Sequence, residues 1–484
     1  MKKALTFFWI FILFVLSSVA QKTTTNGPKT EIGDDPLVSL MSEDERYLYF
    51  CSLDKGFYGG YDNMYITVYD KEKNSVVIEH EIDEDFQFRT AYMQGDNVVL
   101  LGNIYNKKTK SVDYFQSTFP VMEKTPRNFV KTVAHSVPVE KATHLIPEIV
   151  WSPDHTKMAF VTFTHPKSSA TKSYSIDVKV CTTEGIELMR VQRQLNGSSF
   201  QWKRASYLTN DATVYLVEIR DHKANFSDDV GLEIKGDDTY YRYLTITSDG
   251  EFAPTIKTDI QMNQPIDALM PNGNLFLFSE TPTGVSTLEL NQDGELLYLN
   301  NYETELPKAP EGITYEEDIY QDEKKEFTFF PIQILSLSDG RTIVLGSQHK
   351  FNLFQNFYLF LFDDKGEMTT YMLPFANLIQ RYELMYNNTL IEWDGDVWLI
   401  YNGNKANYGP RKTSQWKTMK IIEENCFVMV EIDDNSNFKP SVIHYPLNYN
   451  LNREYLLRVM HVSDDAVLFL KQHNGDNRIE KITK

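Results

Sequence analysis

A short turn built on Asp or Asn recurs eight times in this 484-residue chain, each time directly ahead of an apolar run. The runs are rich in β-branched and aromatic residues, as strands are, and they recur about every 60 residues, further apart than the ~40–50 of common propeller repeats. Asp and Asn suit tight turns because their side chains hydrogen-bond the nearby backbone and tolerate left-handed geometry. The turn residues are Asp44, Asp96, Asp154, Asp211, Asn272, Asp339, Asp394 and Asp464.

A second apolar run follows each of these strands, and most repeats then add another turn, such as Thr247–Gly250 (TSDG) or Asn291–Gly294 (NQDG). Two turn-linked hairpins in one repeat make a four-stranded antiparallel sheet. Eight such sheets predict an all-β chain that forms a single β-propeller with eight four-stranded blades. Seven blades with an irregular terminal sheet remain the alternative.

The last repeat stops at Lys484, after its third strand. The polar segment Thr23–Asp35 is available to add the missing strand and to cover an open sheet edge. The predicted organisation is therefore a signal peptide over residues 1–20, an N-terminal segment over 21–36 that closes the last blade, and the propeller over 37–484.

The first residues have the features of a secretory leader. Lys2 and Lys3 precede the apolar stretch Leu5–Leu16, and small residues lead to a cleavage site after Ala20. Twelve apolar residues are too few to cross a hydrocarbon core of about 30 Å. We therefore predict export to the periplasm or the exterior, with no transmembrane segment after cleavage; an uncleaved N-terminal anchor is the alternative.

Two segments resemble repeats of known propellers. Ile149–Thr162 (IVWSPDHTKMAFVT) resembles the SPDG-type repeat of the TolB and dipeptidyl-peptidase-type propellers. Ser336–Glu367 resembles the repeats of uncharacterised exported proteins of Bacteroidetes. The resemblance implies a bacterial, WD40-like propeller, and it implies no particular activity.

The connections within the predicted blades are unequal in length. In a blade with strands a to d, the a–b and c–d turns share one rim, and the b–c and d–a connections share the other. Nearly all connections on the first rim are tight, and long loops usually carry function when they are ordered. Insertions that accumulated without a function are the alternative. The long connections are Asp54–Asn63, His165–Tyr174, Asp221–Thr239, Asn301–Glu326 and Gly403–Asn425.

Aromatic and basic residues in these loops are the candidate binding residues. Aromatic side chains offer broad contact area at low entropy cost and suit protein or sugar surfaces. The loop Gly403–Asn425 is basic and aromatic in a chain of net charge −19. Such a loop is typical of a docking element, and a mobile loop without a partner is the alternative. The candidates are Tyr58, Tyr61, His222, Tyr408, Arg411 and Trp416.

Several classes of function are disfavoured. A pI of about 5.0 argues against nucleic-acid binding, which depends on neutralising phosphates. The chain contains no GxSxG, Walker A, HExxH or EF-hand motif, so no catalytic residue, metal ligand or cofactor is predicted. Cys51, Cys181 and Cys426 each lie in an apolar run and are predicted to be buried small side chains.

The sequence thus favours an exported, monomeric, non-enzymatic propeller that binds a protein or glycan partner through its long-loop rim. The first alternative is a carbohydrate-active hydrolase or lyase with carboxylates at the mouth of the propeller channel. A structural component of the cell envelope is the third possibility.

Overall fold

The computed structural model describes about 70% of the chain, mainly the strands and their short turns. The described residues are 29–30, 37–55, 61–82, 87–123, 132–139, 144–165, 173–196, 202–221, 229–236, 239–281, 283–303, 314–315, 328–350, 353–363, 365–378, 388–404, 415–416, 425–432, 438–443, 456–473 and 476–483.

Every regular element within these ranges is a β-strand. The strands form eight sheets and one two-stranded ladder. The fold is an eight-bladed β-propeller, which confirms the prediction and the resemblance to TolB-type and dipeptidyl-peptidase-type propellers at the level of fold. The seven-blade alternative is wrong.

The strands of the first four blades follow one another in chain order after β1 (Lys29–Thr30). Blade 1 contains β2 (Leu37–Glu43), β3 (Tyr47–Lys55), β4 (Tyr61–Asp70) and β5 (Ser75–Ile82). Blade 2 contains β6 (Gln87–Gln94), β7 (Asn97–Asn106), β8 (Ser111–Pro120) and β9 (Thr132–Pro138). Blade 3 contains β10 (His144–Trp151), β11 (Lys157–His165), β12 (Ser173–Thr182) and β13 (Glu187–Asn196). Blade 4 contains β14 (Trp202–Leu208), β15 (Val214–Asp221), β16 (Leu232–Lys235), β17 (Thr239–Ile246) and β18 (Ile256–Gln261).

The rest of the chain forms blades 5 to 8 and two short strands that belong to no blade. Strand β23 (Thr314–Tyr315) follows blade 5, and strand β30 (Gln415–Trp416) lies between the second and third strands of blade 7. Blade 5 contains β19 (Asn263–Leu269), β20 (Leu275–Thr281), β21 (Gly284–Leu290) and β22 (Leu296–Glu303). Blade 6 contains β24 (Thr328–Ser336), β25 (Thr342–Lys350), β26 (Leu353–Phe362) and β27 (Met368–Leu378). Blade 7 contains β28 (Thr389–Trp393), β29 (Asp396–Asn404), β31 (Asn425–Ile432) and β32 (Phe438–Ile443). Blade 8 contains β33 (Leu456–Val462), β34 (Ala466–His473), β35 (Asp476–Thr483) and β1.

The chain divides into two compact units. The larger unit, Ile32–Ile313 with Glu317–Phe375, contains blades 1 to 5 and blade 6 up to Phe375. The smaller unit, Met1–Glu31 with Thr314–Glu316 and Ala376–Lys484, contains blades 7 and 8. In the smaller unit β1 pairs antiparallel with β35, Lys29 opposite Arg478, and so forms the outer strand of blade 8.

The hydrophobic core lies between neighbouring blades of each unit. In blades 3 and 4, for example, Val161 and Val178 belong to the same buried cluster as Leu216 and Leu244. The middle strands are covered on both faces, which is why they are continuous apolar runs instead of alternating ones. Each fully buried Val or Leu side chain contributes about 1.5–3 kcal/mol to stability.

Blade 4 differs from the others because it has five strands. Strand β16 pairs antiparallel with β17 and parallel with β18, so it occupies the position next to the third strand of the blade. The sequence predicted a plain loop over Asp221–Thr239, and this was wrong for Leu232–Lys235. Leu232 and Ile234 are buried. Gly231 has φ +85°, and a Cβ on this residue would lie 2.6 Å from the carbonyl oxygen of Tyr243. A four-residue strand is too short to show a clear period in the sequence.

The cysteines that the structure describes are buried as predicted. Cys51 in β3 and Cys181 in β12 are both free thiols among apolar neighbours. Burial raises the pKa of Cys51 to about 12 and the pKa of Cys181 to about 11. Both thiols are therefore poor nucleophiles. Cys426 lies in β31, and its side chain is outside the described residues.

Candidate binding surface

Each blade has two ends of different character. We call the end with the a–b and c–d connections the turn end, and the end with the b–c and d–a connections the loop end. The structure describes most connections of the turn end in full, whereas much of the loop end lies outside the described residues.

The turns of the turn end are held by side-chain caps. Asp44 Oδ1 accepts hydrogen bonds from the backbone N–H of Arg46 at 2.7 Å and of Tyr47 at 2.6 Å. Asp154, Asn272 and Asp339 each accept a bond from the backbone two residues ahead. The predicted role of these residues is thereby confirmed. In blade 4 the prediction that Asp211 caps the turn was wrong. The Thr209 hydroxyl accepts the hydrogen bonds there, from the backbone N–H groups of Asp211 and Thr213.

These caps shift the ionisation of the carboxylates. Burial raises the pKa of Asp44, but the hydrogen bonds from Tyr47, Tyr49 and Arg46 outweigh it, so that the pKa is lowered. The pKa of Asp154 and that of Asp339 are lowered in the same way, against the effect of burial. The turn carboxylates are thus charged at neutral pH and bound to their own turns.

A buried ionic cluster lies towards the loop end of blades 3 and 4. The guanidinium of Arg242 in β17 donates from Nε to Glu218 Oε2 at 2.8 Å, and its Nη2 lies 2.7 Å from the same oxygen. The Tyr174 hydroxyl donates to Glu218 Oε1 at 2.5 Å and accepts a bond from Arg242. All three side chains are almost fully buried. A buried charge requires such pairing, because its desolvation is costly.

A second buried pair joins blades 2 and 3. His135 Nε2 in β9 lies 2.7 Å from Asp177 Oδ1 in β12, and Gln192 donates to the other carboxylate oxygen. The His135 ring also stacks on the Tyr114 ring, with 5.8 Å between their centroids. The carboxylate is therefore occupied by donors from its own and the neighbouring blade, as expected of a structural pair.

Asp113 in β8 has a comparable environment. Its Oδ1 accepts bonds from the hydroxyls of Ser111 at 2.7 Å and Ser136 at 2.5 Å. Burial raises the pKa of Asp113, but these bonds and one from Asn106 lower it overall. Within the described residues, no group of three or more His, Cys, Asp or Glu is arranged to hold a metal ion. The hydrogen bonds of Asp113 connect side chains of β8 and β9.

Most of the predicted site residues lie outside the described residues. Tyr58, His222, Tyr408 and Arg411 belong to this group. Tyr61 is the first residue of β4, and Trp416 is the second residue of β30; the side chains of both are outside the described part.

One pairing at the loop end was missed by the sequence. Strand β23 pairs parallel with β30, so that Tyr315 is opposite Trp416. The two strands come from the predicted long connections Asn301–Glu326 and Gly403–Asn425. A two-residue pairing between segments about 100 positions apart leaves no periodic signal in a sequence. It joins two predicted loops into one element of the smaller unit.

Blade 2 is an exception to the predicted asymmetry of the connections. Its b–c connection is a tight turn over residues 107–110, whereas its c–d connection spans residues 121–131 at the turn end. The prediction that long connections gather almost entirely at the loop end is therefore wrong for this blade. The segment contains Lys124, Arg127 and Lys131, and residues 124–131 lie outside the described residues.

No model of a protein family matches this chain, and no curated protein sequence matches it either. Solved structures that are similar include the β-propeller domain of the Trilobed protease from Pyrococcus furiosus, with 10% identity over 89% of this chain and 100% of that chain at a TM-score of 0.34. The WD40 domain of SCAP from fission yeast is similar with 9% identity over 93% of this chain and 98% of that chain, at a TM-score of 0.35. BamB from Moraxella catarrhalis is similar with 7% identity over 79% of this chain and 91% of that chain, at a TM-score of 0.31. The likeness is one of fold and not of activity.

Among the residues that the structure describes, no helix has the length and apolar character needed to span a membrane.

Proposed function

We propose that this protein is an exported, non-enzymatic β-propeller that binds a protein or glycan partner with the loop end of its blades. The observation that carries the proposal is the pairing of β23 with β30, which places Tyr315 opposite Trp416. Two connections that are remote in sequence share one element there, and adjacent aromatic residues on a rigid scaffold are typical of binding surfaces.

The basic residues of the same connection support this assignment. Arg411, Lys412 and Lys417 lie within a few positions of Trp416 in a chain of net charge −19. Arginine beside aromatic residues is enriched where partners bind. The binding residues that we propose are Tyr58, Tyr61, His222, Tyr408, Arg411 and Trp416.

The test is a comparison of the wild type with the double variant Tyr408→Ala/Trp416→Ala. Both labelled proteins are applied to a glycan microarray and used for pull-down from the cell envelope of the native host. We expect the double variant to lose the ligand of the wild type, because truncating an aromatic anchor often costs 2 kcal/mol or more, about thirtyfold in affinity.

Tyr47→Ala is the matched control, because Tyr47 is a partly exposed aromatic residue at the turn end of blade 1. Its binding should equal that of the wild type. If the Tyr408→Ala/Trp416→Ala variant retains every ligand, the assignment of the loop end is wrong. Export is tested separately: the N-terminal sequence of the mature protein should begin at Gln21.

A further inference from the structure

Exposed apolar side chains gather beside the c–d connections of blades 2 and 3. The structure describes seven large apolar residues that are exposed, and four of them lie here. They are Met122, Val133, Ile186 and Leu188, with 47%, 52%, 63% and 44% of their surface accessible. Contiguous exposed apolar residues with a polar border mark interaction sites.

A lysine shows that these residues belong to one surface. Lys179 Nζ in β12 donates to the carbonyl oxygen of Ala134 at 3.3 Å and lies 3.8 Å from Glu187 Oε2. Ala134 follows Val133, and Glu187 precedes Leu188. The exposed residues of blade 2 and blade 3 are therefore neighbours in space as well as at the same end of their blades.

Strand β13 forms one side of this surface and is the outer strand of blade 3. It has ten residues, and its pairing within the described residues is with β12. An outer strand presents unpaired N–H and C=O groups along its free edge, which form a template for an additional strand. Its sequence, ELMRVQRQLN, contains two arginines and a single acidic residue.

The two arginines of β13 place cations along this edge of an acidic protein. Arg190 and Arg193 are both exposed. The guanidinium carbon of Arg193 lies 4.6 Å from the centre of the Phe252 ring, and Arg190 Nη2 lies 3.7 Å from Asp177 Oδ2. The two cations therefore lie on opposite faces of blade 3, Arg190 on the side of blade 2 and Arg193 on the side of blade 4.

We propose that β13 is the docking strand for an extended acidic segment of a partner protein. The segment adds to the free edge of blade 3 through backbone hydrogen bonds. Because Arg190 and Arg193 lie on opposite faces of the blade, the segment carries carboxylates on both of its faces, one towards each arginine, and its apolar side chains contact Ile186 and Leu188. Addition of a strand to an exposed edge is a general mode of peptide recognition. The surface is at the turn end of the larger unit and does not depend on the proposed loop-end function.

The charges favour this occupant over a second copy of the chain. Pairing of β13 with a second copy of itself would bring four arginines, two from each strand, to one seam. Gathering like charges on paired strands is destabilising. An anionic lipid surface would satisfy the same arginines, but it would not use the backbone edge and would repel a body of net charge −19.

The test uses a fluorescein-labelled peptide of two Val-Glu-Glu-Val repeats, which carries Glu on both faces of an extended strand, and its twin with Lys in place of Glu, both measured by fluorescence anisotropy. We expect saturable binding of the acidic peptide alone. Arg190→Glu/Arg193→Glu should raise its Kd about tenfold or more, since two favourable charge pairs become repulsive. Hydrogen exchange should show new protection of the β13 amides when the acidic peptide is bound.

The matched control is Lys257→Glu/Lys365→Glu, which changes the net charge equally at two exposed lysines elsewhere. It should leave the Kd unchanged, and so should the loop-end variant Tyr408→Ala/Trp416→Ala. Equal effects of the two charge reversals, unprotected β13 amides, or no saturable binding at millimolar peptide would overturn the proposal. Binding of phosphatidylglycerol vesicles through Ile186 and Leu188, without binding of the acidic peptide, would also overturn the proposal.

Discussion

The turn end and the loop end of the blades stabilise their polar groups in different ways. At the turn end a carboxylate such as that of Asp44 is exposed and bonds the backbone two or three residues ahead. Towards the loop end the polar groups are buried, and their partners are remote: Tyr174 bonds Glu218, 44 residues away, and Arg242, 68 residues away. The capped turns are therefore encoded locally, whereas the buried cluster depends on the assembly of neighbouring blades.

The largest effect is expected when the buried cluster is broken. Arg242→Met removes the cation and leaves Glu218 buried beside Tyr174. We expect a loss of about 3–5 kcal/mol in the free energy of unfolding, because an uncompensated buried charge is strongly destabilising. Urea denaturation followed by tryptophan fluorescence measures the change.

The double variant Glu218→Leu/Arg242→Met is the control for this prediction. It removes both charges, so it should recover much of the lost stability, since apolar replacement of a whole buried pair is often tolerated. A loss below 1 kcal/mol in the single variant, or a double variant less stable than the single one, would contradict the stabilising role of this buried pair in blade 4, which Tyr174 of blade 3 also contacts.

A glycine shows that one turn of the turn end is not purely local. Gly294 has φ +77°, and a Cβ there would lie 2.4 Å from Ala253 Cβ and 2.9 Å from Thr245 Cβ of blade 4. Gly294→Ala should cost about 2–3 kcal/mol from left-handed strain and overpacking together. Gly340 has φ +90° with no atom within 4 Å of its Cβ position. Gly340→Ala should therefore cost only about 1 kcal/mol. Equal losses of unfolding free energy in Gly294→Ala and Gly340→Ala would contradict this difference between the two turns.

The turn caps should have a smaller effect. Asp44→Ala removes the acceptor of three hydrogen bonds, including one from the Tyr49 hydroxyl at 2.7 Å. Because the site is exposed and water replaces the lost partner, we expect a loss of about 1 kcal/mol. Asp44→Asn keeps an acceptor oxygen and should retain most of the stability. An effect of Asp44→Ala as large as that of Arg242→Met would contradict the comparison of the two ends.

The turn caps also predict a pH dependence. The pKa values of Asp44, Asp154 and Asp339 are lowered in the folded state from the ordinary value of 3.8. The folded protein therefore binds fewer protons than the unfolded chain, and the stabilisation is present above pH 3.8 and lost as the pH falls through the folded pKa values. Unfolding free energies measured between pH 7 and pH 2.5 should show this decline. The variant with Asn at all three positions should show a smaller decline, with the remainder due to groups such as Asp70 and Asp113, whose pKa values are also lowered. An unchanged profile would contradict the capping role.

The repeat could be predicted from the sequence because its signals are local. Each Asp or Asn turn, and each apolar strand beside it, is defined within about ten residues, so the eight blades and most strand pairs were found. The pairing of Leu232–Lys235 into blade 4 and of Tyr315 with Trp416 could not be predicted in this way. Short segments gain their partners from regions far away in the sequence, and their own residues have no period to reveal it.

The sequence by itself determined the blade number, the turn chemistry and the asymmetry of most connections, since hairpin pairing acts between residues that are close along the chain. Only the tertiary structure decided which polar residues are buried together, as in Tyr174, Glu218 and Arg242. It also decided that Val133 and Leu188 share one exposed surface beside the basic strand β13. Such groupings arise when neighbouring blades pack, and the cost of burying a charge or exposing an apolar side chain is then set by residues from another blade.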